Sequence, residues 1–358
     1  MKANVRFFCV VFLVLPSLAA AEKADWSLSV QPRFGFKYGE AGEYVFSKTP
    51  NYSDDTVSEL VYEAKPELYG GLDVCGGWKR VFARVSACGG IPMNTGTVSD
   101  SDWFNNSPEY VRKADSLLTA NHKTHYSESD CRLDYDFSFG VALGYDVRVF
   151  EGSRVSVSVR PFYVFDYSAF RFTAKDGEAW YGANVGGHYA AWNDEENRSA
   201  SSGKFSANAD YDGEDLSYRR WSVAHWIGLG ASVSLPFKFT VDTGFCVAPY
   251  VYAESTDFHY LNNTKNGGTV YLDVTDGLFS AYKWNCGVSY SVSARNAVCV
   301  SATWFYLKTL RGDGYRKSRR DYENDDGKFF PNEKSKTTES GASRRFVDVS
   351  VGWKCSIF

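Results

Sequence analysis

The sequence predicts an all-β protein, a ten-stranded antiparallel transmembrane β-barrel with long extracellular loops. Three observations lead there. Side chains alternate between apolar and small or polar on a period of two through most of the chain. Aromatic residues make up 17% of it, with Tyr and Trp recurring near the ends of the alternating runs, as an interfacial girdle requires. Connections are short on one side and long on the other, the outer-membrane arrangement.

The N-terminus comes first. Lys2 and Arg6 precede an apolar run from Phe7 to Leu18, and Ala19-Ala20-Ala21 offers small residues for cleavage. Residues 1–21 therefore read as a secretory signal peptide, leaving residues 22–358 as a single barrel domain. Cys9 lies inside the apolar run, away from the cleavage point, which argues against a lipoprotein anchor. No later segment has the ~18 unbroken apolar residues of a spanning helix.

The strands follow. In the third, Phe82, Arg84, Ser86 and Cys88 share one face. In the seventh, Phe237, Phe239, Val241, Phe245, Val247 and Val251 oppose Lys238, Thr240, Asp242, Gly244, Cys246 and Ala248. Tyr282 to Val292 and Ala297 to Lys308 repeat the pattern. Successive strand side chains point to opposite sides, so one face is greasy and the other small or polar. A soluble sandwich alternates too, but these runs exceed the usual five or six residues. Short turns fall at residues 76–79, 150–153, 235–238 and 294–297. Long connections are expected at about 47–57, 96–124, 176–214, 257–268 and 312–341. The last strand, Phe346 to Phe358, ends with its terminal aromatic one residue beyond the apolar parity. A barrel this narrow is filled by its own side chains, which argues against an open porin.

Net charge is −4, so nothing points to nucleic acid. Seven cysteines remain after cleavage, scattered and without a CxxC pair or a Cys/His cluster. They support neither a metal site nor any particular disulfide. No cofactor motif occurs. Arg311-Gly312-Asp313 spells an adhesion tripeptide, but it sits in a charged run that reads as a solvated loop.

Two pairs could carry chemistry. Asp100 and Asp102 stand where the third strand enters its loop; Asp257 and His259 stand where the seventh enters its own. Residues i and i+2 share a strand face about 6.5–7 Å apart. A carboxylate orients a nearby imidazole, so His259 can act as a general base, and the acidic pair can hold a water. No serine or cysteine nucleophile stands beside His259, which favours an activated water. Register makes a demand. Even positions face inward in the seventh strand, so Asp257 and His259 need a bulge to turn in, and Pro249 is a place for one.

These residues resemble the omptin family of outer-membrane aspartyl proteases. The likeness runs from about residue 26 to the C-terminus, anchored by Gly39–Phe46 (GEAGEYVF), Ser58–Glu63 (SELVYE), Asp100–Trp103 (DSDW) and Ser255–Tyr260 (STDFHY). It implies a barrel extending above the membrane with an acidic groove facing the cell exterior. It assigns catalysis to Asp100, Asp102, Asp257 and His259. It also implies a pocket for a basic substrate residue, with Glu43 as one acid. The usual second acid falls at Ser255: if Glu254 beside it substitutes, the preference for a basic residue survives, and if not, the pocket is weaker and more permissive. Outer-membrane lipid is an expected partner, but the family's basic lipid-binding cluster is not placed on the outer face, which leaves dependence on lipopolysaccharide unsupported.

The resemblance implies an endopeptidase acting on polypeptides, as a monomer in the outer membrane of a diderm bacterium. The alternative is a non-catalytic barrel of the same shape, an adhesin or host-component binder working through its loops.

Overall fold

The computed structural model describes residues 26–49, 54–107, 121–195, 198–199, 216–260 and 266–357. The expected signal peptide and Phe358 lie outside them. Ten strands can be followed: β1 (Trp26–Ser47), β2 (Thr56–Trp78), β3 (Val81–Gly90, continued by Met93–Asp102), β4 (His125–Tyr145, continued by Val147–Glu151), β5 (Ser156–Gly182), β6 (Leu216–Ser234), β7 (Phe239–His259), β8 (Thr269–Gly277, continued by Ala281–Ser291), β9 (Asn296–Ser318) and β10 (Thr338–Ser356). Each pairs antiparallel with the next. The last pairs with the first, from Ser29–Ser356 to Ser47–Thr338, so the sheet closes on itself. Closure leaves no unpaired edge to face lipid.

The barrel has two storeys. β1 has 22 residues and β5 has 27, whereas about 9–11 tilted residues cross a bilayer. In the lower storey the outward residues are apolar and exposed, among them Phe34, Phe36, Leu229, Phe245, Trp304 and Val351. In the upper storey outward positions carry charge, such as Arg132, Arg219 and Arg345. This moves the expected loop boundaries. Strands continue to Asp102, Gly182, His259 and Ser318 and resume at Thr338, through stretches the sequence pattern assigned to connections. Above the lipid both barrel faces are polar or mixed, so the apolar alternation lapses while the backbone ladder continues.

The charged run at 311–345 is corrected in the same way. Arg311–Asp313 lies within β9, followed by a helix, α1 (Arg319–Asn324), and β10 resumes within the run. Arg311 is held by Asp55 at 2.6 and 3.0 Å and lies over the Phe46 ring. At Gly312 a Cβ would lie 2.0 Å from the Val274 carbonyl oxygen. The glycine serves close strand approach, and the tripeptide is no loop ligand.

The lumen is packed, as a narrow barrel requires. One cluster sits within the upper storey: Leu60, Tyr62, Val98, Leu133, Phe170, Phe172 and Tyr218. A second gathers Trp226, Ala248, Val251 and Leu307. Near the junction of the storeys Lys37 reaches Glu67 and Asp136, each at 2.7 Å, and Arg344 reaches Asp136. Buried charges persist when paired in this way. The seven described cysteines are free thiols.

Candidate active site

The decisive local feature is a bulge on β7. His225 on β6 pairs with Tyr250, but Ile227 pairs with Val247. Two steps on β6 match three on β7, so one extra residue is accommodated around Pro249. Proline has no N–H for the ladder, which makes it suited to this place. On the other flank β8 is interrupted at residues 278–280, and the Phe279 N–H donates to the Pro249 carbonyl. Below the bulge Cys246 and Ala248 are buried; above it Val251, Ala253, Ser255 and Asp257 are. The inward parity has changed from even to odd, and Asp257 and His259 face the lumen.

On the opposite wall β3 keeps even parity. It breaks at Ile91–Pro92 and shifts register again between Asn94 and Gly96, where Gly96 has φ +129°. Buried Cys88 below and buried Val98 above mark the retained parity. Asp100 and Asp102 therefore continue inward above the core.

Both rims are braced. The Thr124 N–H and hydroxyl donate to the Asp102 carbonyl at 2.7 and 2.9 Å. Phe104, His125, Tyr181 and Tyr189 pack together behind that strand end. On the other side the segment around α1 folds over the outside of β7 and β8. Tyr322 meets Phe258 edge-on, and the Arg319 N–H donates to the Gly268 carbonyl.

Asp257 is 1% exposed and bonds His259 Nε2 through Oδ2. The Tyr271 ring packs edge-on against the imidazole with centroids 5.1 Å apart. Burial alone would lower the His259 pKa, but Asp257, Asp100 and Asp102 together push it up to about 9. Burial raises Asp100 to about 6, with His259 opposing and Asp257 reinforcing. Asp102 is raised well above the carboxylate range by burial and by Asp100. The two pairs thus share one electrostatic field across the groove. That field favours the protonated imidazolium of His259 at rest.

Beside Asp257 lies an acid pocket. Glu43 and Asp273 are each 3% exposed and hydrogen-bonded to one another. Ser255, also buried, donates to Asp273 Oδ2 at 3.4 Å, and Ser340 donates to Oδ1 at 2.5 Å. Burial, Asp257 and Asp273 push Glu43 well up, and burial carries Asp273 to about 6, so the pair holds a proton between them. Arg220 is buried nearby and donates to the carbonyls of Gly42 and Ser343. Glu254 is not part of this pocket. The bulge turns even positions outward, and its carboxylate accepts from Tyr252 at 3.3 Å on the outer face. The second acid is Asp273, directly opposite Ser255 on the neighbouring strand. Its signal in the sequence is the alternation Tyr271, Asp273, Thr275, which identifies a face but not the strand opposite.

A closed ten-stranded ring with a lipid-facing lower storey and an acidic groove above it defines an outer-membrane β-barrel. The omptin family model matches residues 24–355, and the chain belongs to that family. The solved structure of the outer membrane protease OmpT from Escherichia coli superposes with a TM-score of 0.64 at 16% identity, covering 92% of this chain and 97% of that one. At that identity the likeness speaks for the fold. OprG from Pseudomonas aeruginosa aligns over 94% of this chain and 99% of its own, at 7% identity and a TM-score of 0.32. No curated protein sequence matches the chain.

Proposed function

We propose that this chain is an outer-membrane endopeptidase whose groove opens to the cell exterior and hydrolyses polypeptides through a water held between Asp100/Asp102 and Asp257–His259. The observation that carries this reading is the shared field of the two pairs, set inward on facing walls by the retained parity of β3 and the bulge of β7. The water oxygen adds to the scissile carbonyl carbon while the Asp100 carboxylate takes its proton. The His259 imidazolium, held by Asp257, donates to the departing nitrogen. The C–N bond breaks, leaving a carboxylic acid and an amine.

Specificity follows from the acid pocket. Glu43 and Asp273 suit a lysine or arginine side chain preceding the cleaved bond, because a desolvated cation needs paired carboxylates. Entry of the cation would expel the proton held by the pair. The binding-protein alternative is separated by one experiment. Refolded protein and its His259→Ala variant are given fluorogenic peptides with Arg, Lys or neutral residues at that position. Cleavage by the wild type alone supports the enzyme. A wild type that cleaves nothing while still binding host components leaves the scaffold as a binder.

A further inference from the structure

Four buried side-chain oxygens that act on one another electrostatically have no partner from the protein: Glu43 Oε2, the Tyr62 hydroxyl, Asp100 Oδ1 and Asp257 Oδ1. They come from four strands, β1, β2, β3 and β7. Tyr62 is 0% exposed. Its ring is held by stacking on Tyr218 at 4.8 Å and on Phe172 at 5.9 Å. The hydroxyl therefore has little freedom to seek another acceptor. Leaving a buried hydroxyl and three buried carboxylate oxygens unsatisfied is costly.

We propose that these four oxygens form a binding site for one ordered water, and that Tyr62 positions Asp257 through it. The stoichiometry fits. The phenol donates to the water oxygen, and the water's two hydrogens go to two of the three carboxylates. A buried water typically makes about three such bonds. Burial first, then the neighbouring Asp257 and Glu43, strongly raise the Tyr62 pKa, which keeps the phenol a donor. The water also joins the acid pocket to the catalytic couple, since Glu43 and Asp257 both border it. Tyr62 is a positioning residue, acting through Asp257 and not on the substrate. Its kinetic consequence rests on the endopeptidase reading; the water site itself does not.

The test has two arms. Tyr62→Phe keeps the stacked ring and removes only the donor. The expected result is an unchanged KM and a kcat lower by about tenfold, the weight of one hydrogen bond to a charged group. An unchanged kcat, or a change confined to KM, overturns the role. The second arm is a crystal structure of the wild type at a resolution that shows waters. Density within hydrogen-bonding distance of both the Tyr62 hydroxyl and Asp257 Oδ1 is expected. A direct Tyr62–Asp257 bond, or a chamber without that density, overturns the site. This arm decides the matter if Tyr62→Phe does not refold or if the wild type cleaves nothing.

Discussion

Ser255 and Asp273 face each other across β7 and β8, and the serine hydroxyl donates to the carboxylate at 3.4 Å. The acid expected on one strand stands on its neighbour, aimed into the same pocket as Glu43. Asp273→Asn should cut kcat/KM for peptides with Arg or Lys before the cleaved bond by roughly 2–3 kcal/mol, on the order of a hundredfold. Peptides with a neutral residue there should change little. Glu254→Gln should leave both unchanged, because that side chain is on the outer face. Parallel kinetics on the two variants check this; equal losses on basic and neutral peptides would sink the assignment.

The couple itself makes a second prediction. Asp257→Asn and His259→Ala should each abolish detectable cleavage while the refolded barrel keeps its heat-modifiable mobility on gels. Neither side chain belongs to the packed clusters of the lumen.

Protonation gives a third. Asp100, raised to about 6 by burial, must be ionised to accept a proton, so kcat/KM should rise as pH increases through about 6. His259, held up to about 9 against its burial by Asp257 and the two acids opposite, must be protonated to donate, so activity should fall above about 9. If His259 were the base, activity would instead climb through pH 9. A kcat/KM profile from pH 5 to 10 distinguishes the two signs.

The bulge can be tested by length. Deleting Pro249 removes the extra residue and makes the alternation regular, with Ala248 inward, Tyr250 outward and Val251 inward. Asp257 and His259 therefore keep their inward orientation, and cleavage should persist in the deletion variant. Loss of cleavage in a folded deletion variant would show that the bulge does more than set parity.

A fifth expectation concerns stability. Gly312→Ala places a methyl where the Val274 carbonyl already lies, and should cost about 1–3 kcal/mol through overpacking. Urea denaturation of the refolded barrel would report it, and an unaltered midpoint would count against the close approach.

The lower storey was readable because lipid enforces an apolar outer face, and a period of two is visible in residues such as Phe237, Phe239 and Val241. The upper storey was less readable because water touches its outer face, so nothing in the pattern distinguishes β9 at Arg311 from a polar loop. The Asp100/Asp102 and Asp257/His259 pairs were visible as local spacings. Pro249 was visible as a place for a ladder break, because proline lacks a donor. Asp273, Arg220 and Tyr62 were not, since each owes its place to cross-strand register, which one sequence does not state.

The acid pocket lies at the barrel's seam. Glu43 on β1 pairs with Ala342 on β10, Ser340 of β10 holds Asp273, and the Arg220 guanidinium donates to a carbonyl on each side of the join. The pocket therefore does not exist in a chain whose first and last strands have yet to meet. If the proposed endopeptidase reading holds, such a chain has no place to seat a substrate, and completion of the ring is what makes it competent to cleave.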